Sequence, residues 1–252
     1  MTRAGAPAAA ERLNRYLARH GVASRRGADA LVEQGRVEVN GAPAALGTLV
    51  DPGADQVTVD GRPIGEEVPL RTLMLNKPPG VVSTRTDPQK RRTVLDLVDD
   101  PRGLNPVGRL DADSRGLLLL SSDGDLALRL THPRYGITKR YHAVVDGYAG
   151  PQALRRITEG VSLDDGPARA LEAQRTGSTR AGDAVEVLMA EGRKREVRRL
   201  LAAAGLRVVD LCRTAVGPLS LGHLREGQAR PLTQAELRAL YEAVGLTPPR
   251  RR

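Results

Sequence analysis

Residues 106–120 read PVGRLDADSRGLLLL, and this stretch decides the fold of the larger part of the chain. The apolar run Leu117–Leu120 is short and is bounded by Gly116 and by the turn-forming residues 121–124. Four apolar residues between turn signals favour a buried strand over a helix. The stretch therefore predicts a turn that contains Asp111, followed by a strand in the middle of a core.

The elements around this strand alternate without a regular rhythm. Strands are predicted at 72–76, 141–145 and 184–189, and helical spacing appears at 126–131 and 195–204. Thr233 and Glu236 form a capping-box pattern that begins a last helix. Because strict strand–helix–strand repeats are missing, the sequence predicts an α+β body with a mixed sheet rather than a doubly wound one.

The N-terminal residues predict a separate small module of two helices and short strands. Leu13, Tyr16 and Leu17 have helical spacing, and Ser24 is a natural N-cap for a second helix. A strand at 37–39 precedes an Asn-Gly turn, and another strand is predicted at 56–60. The predicted organisation is a disordered leader (1–10), the module (11–68), a larger domain (69–232), and a C-terminal helix with a basic tail (233–252).

Composition narrows the class of protein. The 252 residues contain one cysteine, four scattered histidines, five tyrosines and neither Phe nor Trp. No apolar run of eighteen residues and no signal-peptide centre is present, so we expect a cytoplasmic protein without membrane spans. The cysteine and histidine spacing predicts no metal site, and no phosphate-binding glycine motif is present.

The net charge of +9 predicts an anionic partner. Only four of the 39 basic residues are lysine, and arginine suits bidentate phosphate contact. Residues 1–36 contain seven arginines against three acids, whereas residues 37–68 contain one against six. Nucleic acid is the favoured partner, with the helical half of the module and a basic, mobile loop at 84–92 facing it.

Three stretches of the larger domain carry a family resemblance: LNKPPGVVS (75–83), PVGRLDADSRGLLLL (106–120) and EGRKREVRRL (191–200). In this order they resemble the bacterial ribosomal RNA pseudouridine synthases that modify small-subunit rRNA or single positions of large-subunit rRNA. Residues 12–41 resemble the S4 RNA-binding module that precedes the catalytic domain of that family.

The resemblance implies a role for individual residues. Asp111 matches the catalytic aspartate of the Gly-Arg-Leu-Asp motif, and Arg198 matches the basic residue expected to pair with it. Tyr141 matches the tyrosine that stacks on the target base, and Val197 would form the opposite wall. Arg109 and Lys77 complete the predicted substrate contacts.

The chemistry implied is isomerisation of uridine to its C-glycoside, without a cofactor. An ionised carboxylate could attack C1′ or remove a ribose proton, and the sequence leaves both routes open. Taken alone, Asp111 is also compatible with a turn carboxylate, Tyr141 with a core residue, and Arg198 with a solvated helix charge. Glu196 introduces an acid that could compete for Arg198.

The sequence therefore predicts a pseudouridine synthase acting on ribosomal RNA or a pre-ribosomal particle as a monomer. Large-subunit (23S) rRNA is favoured over small-subunit (16S) rRNA. The alternative is a noncatalytic RNA-binding ribosome-assembly factor with the same fold. Residues predicted to hold RNA through its phosphates are Arg12, Arg25, Arg26, Arg91, Arg92, Arg193 and Arg195.

Overall fold

A computed structural model of the chain describes residues 10–65 and 70–249. These residues form two compact units, divided between residues 69 and 70. Most of the predicted leader (1–9), most of the polar segment before the larger domain (66–69) and the end of the basic tail (250–252) lie outside the described residues. Each unit is described by itself below.

The N-terminal unit consists of two helices and six short strands. They are β1 (Glu11–Arg12), α1 (Leu13–Arg19), α2 (Arg25–Glu33), β2 (Val37–Val39), β3 (Ala42–Pro43), β4 (Leu49–Val50), β5 (Val57–Val59) and β6 (Arg62–Pro63). Strands β3, β2, β5 and β6 form one sheet in that order, and β1 pairs with β4.

Local sequence signals explain the shape of this unit. The Ser24 hydroxyl accepts a hydrogen bond from the Gly27 backbone at 3.1 Å, which is the predicted N-cap of α2. Asn40 and Gly41 both have positive φ, as a tight turn between β2 and β3 requires. Leu17 and Ala28 are fully buried between the two helices and the strands.

The second unit contains eleven strands and four α-helices. They are β7 (Thr72–Lys77), β8 (Asn105–Val107), β9 (Arg115–Ser121), α3 (Gly124–Thr131), β10 (Lys139–Asp146), α4 (Pro151–Glu159), β11 (Val161–Leu163), β12 (Gly166–Ala168), β13 (Glu172–Thr179), β14 (Gly182–Met189), α5 (Glu196–Ala203), β15 (Arg207–Val216), β16 (Leu219–Ser220), β17 (Ala229–Pro231) and α6 (Gln234–Ala243). Two 3₁₀ turns lie at Val94–Leu97 and Pro133–Tyr135.

Nine of these strands form one mixed sheet, so the predicted fold class is confirmed. The main order is β13-β14-β10-β15-β9-β7-β17, with β8 beside β9 and β16 beside β15. The β15–β9 pair is parallel and the others are antiparallel. Strands β11 and β12 form a separate hairpin.

The leucine run is buried because both faces of the sheet are covered. Leu118 and Leu120 belong to the core on the side of α4 and α5, whereas Leu117 and Leu119 belong to the core on the side of α3 and α6. Side chains alternate between faces along a strand. A strand covered on both sides therefore needs an apolar residue at every position, as the sequence predicts.

Three large elements escape prediction: β13, α4 and β15. Strand β15 is the longest of the described strands, yet it includes Arg207, Asp210 and Arg213 among its ten residues. Helix α4 buries Ile157 fully, and its other residues are exposed or only partly buried. The helix predicted from Arg195 begins one residue later, at Glu196.

Candidate active site

Asp111 lies in the turn between β8 and β9, and the first motif stretch holds this turn in place. The Ser83 hydroxyl donates to the Leu110 carbonyl at 2.8 Å and accepts from the Leu110 amide at 3.1 Å. The Gly80 amide donates to the Ala112 carbonyl at 2.7 Å. Residues on both sides of Asp111 are thus fixed by hydrogen bonds from the segment that follows β7.

Lys77 also stabilises this turn, through hydrogen bonds from its ammonium. Its ammonium is completely buried and donates to the carbonyls of Ser114 at 2.7 Å, Pro78 at 2.9 Å and Ala112 at 3.4 Å. Burial lowers the pKa of Lys77 to about 8, although the nearby Asp113 and Asp111 charges oppose this effect. The prediction that Lys77 contacts substrate is corrected, because the side chain has no exposed surface and its protons are directed to backbone carbonyls.

The third motif stretch meets the turn from the other side. Arg195 donates to both oxygens of Asp113 at 3.0 Å, and its Nη1 is 3.9 Å from Asp111 Oδ2. Arg198 donates to the Asp113 carbonyl at 3.0 Å and lies 3.5 Å from the Asp113 carboxylate and 3.4 Å from the Ser114 hydroxyl. The structure thus gives Arg198 the partner Asp113 instead of the predicted Asp111.

The Asp113 carboxylate is therefore the ion-pair partner of both Arg195 and Arg198. Hydrogen bonds from Arg195 hold the pKa of the Asp113 carboxyl below its ordinary value, and the Arg198 charge adds to the effect. The Asp111 carbonyl accepts from the Ser114 amide at 3.1 Å, but the Asp111 carboxylate accepts no hydrogen bond from the described residues and is about a third exposed. Its carboxylate is available to an incoming group.

Glu196 does not compete for Arg198, because Arg193 occupies it. The Arg193 amide and Nε donate to the two Glu196 oxygens at 3.0 and 2.9 Å, and the Glu196 side chain is almost fully buried. The remaining Arg193 nitrogens donate to Asp165, Gly166 and Pro167 of the β11–β12 hairpin. In this structure the Arg193 guanidinium fastens the hairpin to the start of α5, and its phosphate contact stays a prediction.

A pocket of about 200 Å³ opens beside Asp111. Six of the residues predicted to bind or convert the substrate line it: Arg109, Asp111, Tyr141, Arg193, Arg195 and Val197. Tyr141 is buried on β10 and Val197 is buried in the first turn of α5, so the pocket has two apolar walls. Arg109 is exposed at its rim.

Three further cations line the same pocket and are not among the predicted site residues: Lys139, Lys194 and Arg213. Lys139 begins β10, two residues before Tyr141, and its place in the Lys-x-Tyr stretch was the available signal. Lys194 lies within the third motif stretch. Arg213 lies on β15, which the sequence did not predict as a strand, so no sequence pattern indicated that Arg213 reaches the pocket.

A shallow groove of about 400 Å³ shares Arg195 with the pocket. It is also lined by Arg198 and Arg207, and Arg207 is paired with Asp146. The groove therefore extends the positive surface from the mouth of the pocket along α5 and the start of β15.

The other arginines predicted to contact RNA differ in whether they are already paired with a carboxylate. Arg92 is exposed, but Arg91 donates to both oxygens of Asp87 at 3.0 and 2.7 Å. The Arg91 hydrogen bonds lower the pKa of Asp87 to about 2. The loop at 84–92, predicted to be mobile, is thus fastened internally, and the Val82–Thr93 bridge closes its base.

In the N-terminal unit, Arg12, Arg25 and Arg26 are exposed. Arg25 makes one long hydrogen bond, of 3.5 Å, to Asn14. Among the described residues, no hydrogen bond or ion pair engages the side chains of Arg12 and Arg26. These three charges remain open to an anionic partner.

The described residues contain neither a metal-binding cluster nor a membrane-spanning helix. No group of three or more His, Cys, Asp or Glu side chains is arranged to hold a metal ion within residues 10–65 and 70–249. Over the same residues, every helix is too short or too polar to cross a membrane.

Comparisons with known proteins identify the family and its N-terminal domain. A family profile described as RNA pseudouridylate synthase matches residues 71–203, and an S4 domain profile matches residues 11–56. The chain is 45% identical to an uncharacterized RNA pseudouridine synthase of Mycobacterium leprae, over 95% of both chains. It is 40% identical to the ribosomal large subunit pseudouridine synthase B of Bacillus subtilis, over 91% of this chain and 95% of the relative.

A solved structure extends the likeness to the fold. The crystal structure of a pseudouridylate synthase superimposes with a TM-score of 0.64 at 29% identity, covering 91% of this chain and 99% of the other. The profile match spans more than half of the chain and includes all three motif stretches. The chain belongs to the RNA pseudouridylate synthase family and carries an S4 domain at its N-terminus.

Proposed function

We propose that this pseudouridine synthase isomerises one uridine of large-subunit ribosomal RNA, with Asp111 as the catalytic carboxylate. The observation that carries the assignment is the state of Asp111 at the pocket. Its carboxylate lines the wall and accepts no hydrogen bond from the described residues, and its backbone belongs to a turn that three separate segments fix. A free carboxylate on a rigid support suits attack on C1′ or removal of a ribose proton.

The apolar walls suit the target base. Tyr141 is the aromatic side chain of the pocket, and a flipped pyrimidine can stack on its ring with Val197 on the other side. Arg109, at the rim, is positioned for the sugar or phosphate of the same nucleotide. Tyr141 and Val197 would thus hold the base while Arg109 holds the sugar or phosphate of the same nucleotide.

Arg198 acts on Asp111 through the turn. Its guanidinium binds the Asp113 carbonyl and approaches the Ser114 hydroxyl, so it restrains the backbone that follows Asp111. It is therefore a positioning residue in the substrate-free protein. Bound RNA that displaces the Asp113 carboxylate would leave Arg195 and Arg198 free to approach Asp111 or a phosphate.

RNA binding must offset the cost of extracting the target base. Turning a stacked uridine into a pocket costs a few kcal/mol. The exposed Arg92 and the open arginines of the S4 domain supply phosphate contacts, and the groove arginines Arg195, Arg198 and Arg207 add to them once RNA displaces their carboxylate partners. The S4 domain contributes affinity for RNA that does not depend on base sequence.

The choice of substrate rests on the relatives. The Bacillus subtilis relative is named for the large ribosomal subunit, and a Pseudomonas aeruginosa relative with the same name is 42% identical over 94% of this chain and 64% of its own length. We therefore favour 23S over 16S rRNA. Action as a monomer and a cytoplasmic location stay predictions.

The test is to map pseudouridine in rRNA from cells with and without this gene. We expect one large-subunit position to lose the modification, and the purified protein to restore it on the unmodified rRNA. A lost position in 16S rRNA would correct the substrate. A protein that binds rRNA tightly but restores no pseudouridine would instead support the noncatalytic assembly factor.

A further inference from the structure

The wall of the pocket formed by β10 and β15 carries two cations beside Tyr141. Tyr141 and Arg213 are directly opposite each other in the antiparallel pair, which places their Cβ atoms about 5 Å apart on the same face. Lys139, two residues before Tyr141, leaves β10 on that face as well. All three side chains line the pocket.

The backbone of Arg213 is held from its other side by β9. Gly116 pairs with Arg213 in the parallel ladder and has φ of 106°. A Cβ on Gly116 would lie 2.4 Å from the Arg213 carbonyl oxygen, so only glycine allows this approach. The Gly116 of the motif thus fixes the position from which Arg213 enters the pocket.

Arg213 has no anionic partner although it is buried. Arg213 is only 6% exposed. Its Nε donates to the Leu117 carbonyl at 2.7 Å. Within residues 10–65 and 70–249, no carboxylate lies within 4.0 Å of this guanidinium, and its Nη atoms make no hydrogen bond. The Nη donors therefore face the pocket without a partner, which points to a ligand that accepts hydrogen bonds from them.

Lys139 is similarly unengaged. The described residues offer its ammonium no hydrogen bond or ion pair, and burial together with the Arg213 charge lowers the Lys139 pKa. The acid on this side of the pocket, Glu196, already accepts hydrogen bonds from Arg193 on both oxygens. The rim arginines Arg193, Arg195 and Arg198, in contrast, each pair with a carboxylate.

We propose that Arg213 and Lys139 bind the carbonyl oxygens of the target uracil and stabilise the negative charge of the ring while it is detached from the ribose. The inference rests on the proposed function and adds specific residues to it. Their place beside Tyr141, on which the base would stack, favours the base over its phosphate as the ligand. The more exposed arginines at the rim and in the groove are better placed for phosphate.

The chemistry of the reaction requires such a group. When the N1–C1′ bond breaks, the electron pair stays on the uracil, and its charge spreads over N1 and the carbonyl oxygens. On the sugar, either Asp111 bonds to C1′ or a ribose proton leaves to form a glycal. The ring then bonds to C1′ through C5, which releases the Asp111 carboxylate in the first route and is accompanied by return of the proton to the ribose in the second. C5 loses its proton, N1 gains one, and no atom is gained or lost. Fixed cations at the oxygens lower the energy of the anionic ring in both routes.

The first experiment compares Lys139→Met with Arg140→Met as the matched control. Arg140 is the next residue, and it pairs with Glu186 at 2.7 Å on β14. Single-turnover rates are measured at saturating rRNA, on substrates with uridine or 5-fluorouridine at the target position. Fluorine stabilises the ring anion, so the detached ring needs less help from the protein.

We expect Lys139→Met to slow the conversion of uridine by about tenfold to a hundredfold. The loss on 5-fluorouridine, followed as its disappearance from nuclease digests, should be several-fold smaller. Arg140→Met should stay within about twofold on both substrates, as expected for a change away from the reacting atoms. Equal losses on the two substrates, or no loss, would overturn the inference.

A second pair of variants tests Arg213. Arg213→Lys keeps the charge and should retain more single-turnover activity than Arg213→Gln, provided both unfold at temperatures close to wild type. If either variant fails to fold, the Lys139 comparison decides. A loss of RNA affinity without a change in the saturated rate would assign both cations to a phosphate and reject the role at the base.

The outcomes also separate this inference from the proposed function. A wild-type protein that forms no pseudouridine in either rRNA would remove the basis of both. A wild-type protein that is active, with Lys139→Met equally active on uridine, would reject the anion-binding role alone.

Discussion

The arginines of the two units have the same chemistry but different partners. In the S4 domain, Arg12 and Arg26 are exposed and have no recorded partner among the described residues, and Arg25 has one weak contact. In the catalytic unit, Arg193 and Arg195 each donate to carboxylates. A run of basic residues in a sequence therefore does not by itself indicate an RNA-binding surface.

The difference follows from what each unit must hold together. The S4 domain has its own buried core, with two helices packed on short strands. Three of its surface arginines, Arg12, Arg25 and Arg26, have no carboxylate partner among the described residues, whereas Arg36 pairs with Asp60. The catalytic unit must fix several loops around a pocket, and a planar guanidinium with five donors joins loops efficiently. We expect substitutions in the first group to change binding and those in the second to change stability or chemistry.

The largest expected effect concerns Asp111, whose carboxylate is the free acid at the pocket. Asp111→Asn should reduce single-turnover conversion by at least about a thousandfold while rRNA affinity stays within about threefold. Asp113→Asn is the matched control, because Asp113 lies on the same turn but is already paired with Arg195. If Asp113→Asn loses as much activity as Asp111→Asn, the two carboxylates have been assigned the wrong way round.

Next in size is the effect of breaking a structural arginine pair. Arg193→Leu should lower the free energy of unfolding of the catalytic unit by about 3 kcal/mol, because it leaves the buried Glu196 carboxylate unpaired. Arg25→Leu, in the S4 domain, should change stability by less than about 0.5 kcal/mol. Urea unfolding measures both, and a stable Arg193→Leu protein with weakened rRNA binding would support the phosphate role predicted from the sequence.

Much of the fold could be predicted where sequence and local chemistry agree. The Leu117–Leu120 strand is predicted because it is apolar at every position, and the caps at Ser24 and Thr233 because short-range hydrogen bonds define them. Strand β15 is not predictable in this way. Its charged residues find partners far away in sequence, such as Arg115 for Asp210.

The same limit applies to the site. Asp111 and Tyr141 could be identified because each lies in a recognisable motif. The partner of Arg198 could not, since it depends on how the turn directs Asp111 and Asp113 once Lys77 and Ser83 have fixed the backbone. Arg213 reaches the pocket only through the pairing of β15 with β9 and β10, which no local pattern reveals.

The pH dependence of the free energy of unfolding tests whether Lys77 is a buried cation that holds the Asp111 turn or an ordinary surface lysine. Its pKa of about 8 in the folded protein is below the ordinary value of 10.5, so above pH 8 the unfolded chain binds the extra proton. Raising the pH should therefore stabilise wild type relative to Lys77→Met, by about 1 kcal/mol per pH unit between 8 and 10. Below pH 8 both states are protonated and the difference should be constant. A flat difference across the whole range would show that Lys77 is not held in a desolvated site.

The smallest expected effect tests the unengaged arginines of the S4 domain. Replacing Arg12, Arg25 and Arg26 together by Ala should weaken rRNA binding by about tenfold at moderate salt and make its salt dependence shallower, because fewer phosphates are neutralised. The single-turnover rate at saturating rRNA should stay the same, since phosphate contacts position the RNA without entering the chemistry. Arg36→Ala is the matched control, because Arg36 lies in the same domain but is already paired with Asp60. If Arg36→Ala alone weakened binding as much as the triple change, freedom from a carboxylate would not be what marks an RNA-binding arginine in this protein.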